Sequence, residues 1–125
     1  MEKILIYTNN QDKKLKIEKV ARSLKMQVQV MSTKDLPRNI GAIAGISKEP
    51  ANAHTMPIPV FYVMPEVLIF SGLSSNRLDD FLNAYRLAKI EPIPLKAVVT
   101  LYNVNWSLFN LIEELKRENK AMSRK

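Results

Sequence analysis

The sequence predicts one α/β domain over residues 1–125, a mostly parallel four-stranded sheet of order 2-1-3-4 with helices on both faces, flavodoxin-like or Rossmann-like. Three observations carry that expectation. Four short apolar runs have strand character, apolar stripes of helical period lie between them, and a Pro-rich connector at 47–65 separates a β-α-β-α half at 1–46 from a second at 66–120, with a short basic tail at 121–125.

Lys3 to Thr8 reads as a strand buried on both faces, closed by Asn9 and Asn10. In Gln11 to Lys25, Ile17, Val20, Ala21 and Leu24 fall at i, i+3, i+4 and i+7, one helix face. Val28 to Met31 predicts a second strand, and Asp35 a helix start leading into Asn39 to Ile46. Gly41 and Gly45, one turn apart, would let that helix lie close against the sheet. The connector holds Pro50, Pro57, Pro59 and Pro65, each pushing its predecessor toward extended backbone. Its Val60 to Met64 run is too apolar to stand in water and predicts packing, edge pairing or a homodimer contact. Val67 to Phe70 repeats the first strand, and Ser74 caps a helix with Leu78, Phe81, Leu82 and Tyr85 on one face. Lys96 to Thr100 is the fourth strand, and Asn105 caps a last helix through Leu108, Leu111, Ile112 and Leu115. A shift of 63 residues superposes Ile4–Thr8 on Val67–Ser71. That fits an internal duplication or, more simply, two strand–helix units obeying the same rules.

The absence of cysteine excludes disulfides, Cys-based zinc and thiol catalysis. No secretory pattern follows MEKILIYTNN, and no apolar run reaches the roughly 20 residues a membrane helix needs, so a cytoplasmic chain without membrane contact is expected. The net charge of +7 is uneven. Residues 1–38 carry +5, residues 39–115 carry −2 and residues 116–125 carry +4.

In the expected topology the carboxyl ends of strands 1 and 3 gather Thr8, Asn9 and Asn10 with Ser71 and Gly72, and bring Thr100 and Asn103 near, where a small-molecule site belongs. Three glycines make no phosphate-cradling run, and the strand ends lack the carboxylates a magnesium pocket needs, so no cofactor, metal or catalytic residue is expected. His54 fits a solvated loop imidazole better than a base, since no carboxylate stands near it in sequence. The turn from Lys96 to Ser107 is the richest in polar groups. Backbone N–H groups at Trp106, Ser107 and Leu108, with Thr100 and Asn103 close, would suit an anion, while the plainer reading has Asn105 as a cap and Trp106 covering the core.

Phe70-Ser71-Gly72, Lys96-Ala97-Val98-Val99-Thr100, Asn103, Trp106 and Glu114-Leu115 give the stretch 64–118 its character. It resembles the bacterial domain-of-unknown-function family 3783. The chain departs from that family's pattern at Leu101, where a proline follows the strand-end threonine. The resemblance implies a cytoplasmic protein of undefined role and supplies no reaction to carry over. It singles out Lys96, Thr100, Asn103 and Trp106 as one unit.

A non-enzymatic ligand- or protein-binding domain is the expected function. The alternative is a sequence-tolerant nucleic-acid accessory using Lys16, Lys19 and Arg22 on the first helix with Lys116, Lys120 and the tail, although no aromatic residue interleaves these cations.

Overall fold

Leu5 and Ile69 face each other at the centre of the sheet, in strands that run in opposite directions. In order, the chain forms β1 (Lys3–Tyr7), α1 (Gln11–Ser23), β2 (Gln27–Val30), a 3₁₀ turn (Thr33–Asp35), α2 (Ile40–Ile43), β3 (Val67–Ser71), α3 (Ser75–Leu87), β4 (Lys96–Val98) and α4 (Leu108–Ser123). The computed structural model describes residues 1–48 and 57–123. His54, Pro50, Arg124 and Lys125 lie outside the described residues.

The sheet order is β2-β1-β3-β4, as the sequence predicts. β1 pairs β2 in parallel, and β3 pairs β4 in parallel, but β1 and β3 are antiparallel, with Lys3 opposite Ser71 and Tyr7 opposite Val67. The sheet is therefore mixed rather than mostly parallel, and the flavodoxin-like expectation holds for strand order and for helices on both faces but not for strand direction. Strand direction is set by where the connector delivers the chain, and the connector is long enough to reach either end of the sheet.

Alternation along the strands divides the core. Ile4, Ile6, Leu68 and Phe70 point to one face, where α1 and α3 cover them with Ile17, Val20, Ala21, Phe81 and Tyr85. Leu5, Val67 and Ile69 point to the other, under Ile40, Ile43, Leu108, Phe109, Leu111 and Ile112 of α2 and α4. Leu5 and Ile69 are wholly buried, each contributing about 1.5–3 kcal/mol of apolar transfer.

Through the first strand and helix the halves correspond position for position at an offset of 64, one more than the sequence comparison suggests, and beyond them at an offset of 68. Asn10 and Ser74 cap helices of 13 residues each by accepting the N–H groups of Lys13 and Arg77. Both helices close through a lysine of positive φ, Lys25 and Lys89. Across the interface the contacts are reciprocal, as a two-fold relationship requires. Ile40 N–H donates to the Trp106 carbonyl and Leu108 N–H to the Arg38 carbonyl, both at 2.8 Å, around the bridge between Asn39 and Ser107.

Local starts differ from expectation in two places. Asp35 is the third residue of a capping box opened by Ser32, while Asn39 caps α2. The first turn of α4 is held by Ser107 Oγ, which accepts Asn110 N–H at 3.1 Å, whereas Asn105 offers its carbonyl to the Asn39 amide at 2.7 Å. The side-chain hydroxyl reaches the free N–H group; Asn105 stands too early to do so. Gly41 permits close approach to the loop before α4 rather than to the sheet, its N–H donating to the Val104 carbonyl at 2.8 Å. No helix among the described residues is long and apolar enough to cross a membrane.

Candidate functional site

β4 is an edge strand, and the turn that leaves it is closed by side chains. Thr100 Oγ1 accepts the N–H groups of Tyr102 and Asn103 at 3.1 and 3.2 Å. The buried Asn103 side chain accepts Thr100 N–H at 2.9 Å and donates to the Val98 carbonyl at 3.0 Å. That amide occupies an outward carbonyl of the edge strand and hinders strand addition there. The same device stands at Ser32 and Asp35 in the first half, where the Asp35 carboxylate accepts Ser32 N–H at 2.8 Å. A carboxylate cannot donate, so the β2 edge lacks the matching cover from Asp35.

The turn holds its apolar residues outward. Leu101 is 97% exposed and Tyr102 79%, and the Tyr102 ring lies 5.4 Å from that of Trp106, tilted. Between this turn and α4 runs a cavity of about 410 Å³, lined on one side by Lys96, Ala97, Val98, Tyr102, Asn103 and Trp106. Its far wall is Leu111 and Leu115, with Glu114 and Glu118 one turn apart on α4. Lys96, Asn103 and Trp106 thus share one groove, next to Thr100. Lys96 stands at its margin, because Ala97 and Val99 pack on the α2 and α4 face and alternation sends the Lys96 side chain to the α3 face, where it donates to the Ile93 carbonyl at 2.7 Å.

The remaining residues expected at one site are separated. Antiparallel pairing leaves Ser71, Gly72, Thr100 and Asn103 at one end of the sheet and sends Thr8, Asn9 and Asn10 to the other, about 15 Å away along five-residue strands. Gly72, at φ +78°, instead meets the Met1 backbone. Two N–H groups expected to receive an anion are already donated, that of Trp106 to Asn103 and that of Leu108 to Arg38.

The basic residues form two surfaces. Lys16, Lys19 and Arg22 are exposed on α1, and Lys116 and Lys120 on α4, which covers the opposite sheet face. Lys16 pairs with Asp12 at 3.4 Å, and Lys116 with Glu113 at 3.1 Å.

Four charged residues that the sequence reading does not single out make the internal electrostatic contacts. Lys13, 7% exposed, donates to Glu66 at 2.9 Å, and Thr8 donates to the other Glu66 oxygen at 2.5 Å. Burial pushes the Glu66 carboxyl up, but hydrogen bonds from Lys13 and Thr8 and the Lys13 charge outweigh it and hold the group below the usual carboxylate range. The counterpart is Arg77, which grips Glu2 with two hydrogen bonds at 2.7 and 2.8 Å and reaches the Leu24 carbonyl. Hydrogen bonding from Arg77, opposed by burial and aided by its charge, lowers Glu2. Each helix's third residue therefore binds the glutamate before the other half's inner strand. The signal was present in the chain as the repeated spacing of Glu2 to Lys13 and Glu66 to Arg77.

Tyr62, in the connector, donates to Glu113 at 2.9 Å and meets Phe109 edge-on at 4.9 Å, while Val60, Phe61 and Val63 around it are exposed. Only Met64 of the apolar run is buried. Every buried side-chain nitrogen and oxygen among the described residues has a partner.

Residues 66–122 match a family described as a domain of unknown function, DUF3783. No curated protein and no solved structure matches the chain.

Proposed function

We propose that this chain, whose residues 66–122 match the DUF3783 family, is a non-enzymatic protein-binding module whose groove between β4 and α4 takes an extended peptide segment. One observation carries this reading: Leu101 and Tyr102 are held out into water, Tyr102 beside Trp106, by a turn closed through the Thr100 and Asn103 side chains. A turn stiffened in that way presents apolar side chains at little entropic cost, the arrangement that favours binding by aromatic anchors. Glu114 and Glu118 along the far wall favour a segment with an apolar residue followed by a basic one. Glu2 and Glu66 are engaged in ion pairs that join the halves, and Asp12, Asp35, Glu113 and Glu114 in pairs within their own elements, which favours binding over acid–base chemistry.

Peptide display against the immobilised chain tests the reading. Selected peptides are expected to combine an aromatic or aliphatic residue with Lys or Arg, and to lose at least about tenfold in affinity to Tyr102→Ala and to Glu118→Lys, both exposed changes that leave Tm nearly unchanged. Peptides indifferent to both substitutions would overturn it.

A further inference from the structure

Where two corresponding halves differ, the difference marks what one of them has acquired. The correspondence at offset 64 runs through Met26 and Ile90. The strand registers then equate Gln27 and Val28, opposite Lys3 and Ile4, with Leu95 and Lys96, so the second half carries four extra residues, Glu91 to Pro94. Pro92 and Ile93 of this insertion line, with α3, a cavity of about 330 Å³ on the α1 and α3 face, the side of the sheet opposite the peptide groove.

Leu82, Tyr85, Ile90 and Ile93 form its apolar wall, with exposed Arg86 and Lys96 at the rim, and no acidic residue lines it. In the first half Glu18, Ala21 and Val28 stand where Leu82, Tyr85 and Lys96 stand here, so that half has neither the wall nor the second cation. The Tyr85 hydroxyl is spent on the Glu91 carbonyl, which leaves the interior apolar. Arg86 bonds Asn83 at 3.0 Å and Lys96 bonds the Ile93 carbonyl, yet each keeps further donors.

We propose that this cavity binds a small organic carboxylate with an apolar body, its hydrocarbon against Leu82 and Ile93 and its carboxylate between Arg86 and Lys96. The volume lies at the lower end of the range for small-molecule sites, and charge complementarity selects an anion over a neutral or cationic molecule of equal size. The two sites share Lys96 alone, and Tyr102→Ala leaves this one untouched.

Octanoate titrated into the full chain by calorimetry, with octan-1-ol and octyltrimethylammonium as controls of equal length, decides the matter. Expected are saturable octanoate binding with a rise in Tm, at least about tenfold preference over the alcohol, and a loss of about tenfold in each of Arg86→Gln and Lys96→Gln but not in Lys19→Gln. These three substitutions are at exposed positions, so folding is preserved. Absence of saturable octanoate binding, equal affinity for the alcohol, or indifference to the Arg86→Gln and Lys96→Gln pair overturns the proposal.

Discussion

Lys13 and Glu66 stand 2.9 Å apart, joining helix α1 to the residue before β3, with the lysine almost wholly withdrawn from water. The contact binds one half of the chain to the other. Removing the lysine leaves the half-buried Glu66 carboxylate without its cation, so Lys13→Met is expected to cost about 2–3 kcal/mol, with part recovered in Lys13→Met/Glu66→Gln. Urea unfolding of the two singles and the double, read as a cycle, checks this.

Acid should weaken the fold in a defined window. Glu66 and Glu2 are held low as described. Glu113 is too, because hydrogen bonds from Tyr62 and Lys116 and the charges of Lys116 and Arg117 outweigh its burial. Each carboxyl releases its proton more readily folded than unfolded, where the ordinary value is 4.5. Their contribution is complete above that value and is lost as pH falls through the lower folded values. The urea midpoint should therefore decline below about pH 4.5 and be steadier above it. Glu66→Gln should lower the midpoint at neutral pH and flatten the acid limb.

Asn103→Ala leaves Thr100 N–H and the Val98 carbonyl without their partner and should cost about 1–3 kcal/mol. Asn103→Asp separates the two roles. It keeps the acceptor for Thr100, as Asp35 does for Ser32, but sets a carboxylate against the Val98 carbonyl. Its loss should exceed zero and shrink below the carboxyl's pKa, measurable by Tm against pH.

Tyr62 ties the connector to α4 through Glu113 and Phe109. Tyr62→Phe should lose about 1 kcal/mol and Tyr62→Ala about 2–4 kcal/mol. Limited proteolysis should show faster cleavage between 57 and 65 in the alanine variant.

Gly72→Ala places a Cβ 3.0 Å from the Met1 carbonyl carbon at a φ of +78°, and should cost about 2 kcal/mol or more. Thermal unfolding tests it. Relief by deleting Met1 would trace the loss to that contact.

Strand order and helix faces were readable because apolar period is local: Ile17, Val20 and Ala21 name a face without knowledge of what covers it. The direction of β3 was not. Val67 to Ser71 is buried on both sides, and such a run is equally apolar in either direction. The reversal of β3, which β4 follows, separated Thr8 from Ser71 and united Thr8 with Glu66. The turn at Thr100 and Asn103 was legible as a polar unit, since it closes within a few residues. Lys13 looked like one more surface cation because its partners are 53 and 79 positions away. An offset chosen by side-chain likeness fell one residue short of the true one, which is fixed by caps and by the positive-φ lysines.

The reciprocal contacts between halves carry a consequence for concentration. Nothing in a two-fold interface distinguishes the half supplied by the same chain from the half supplied by another, so partner exchange through an opened connector satisfies every hydrogen bond between β1 and β3 and both ion pairs. Refolding at high concentration, or shortening the connector, should therefore yield an entangled dimer that light scattering detects and that dilution reverses slowly.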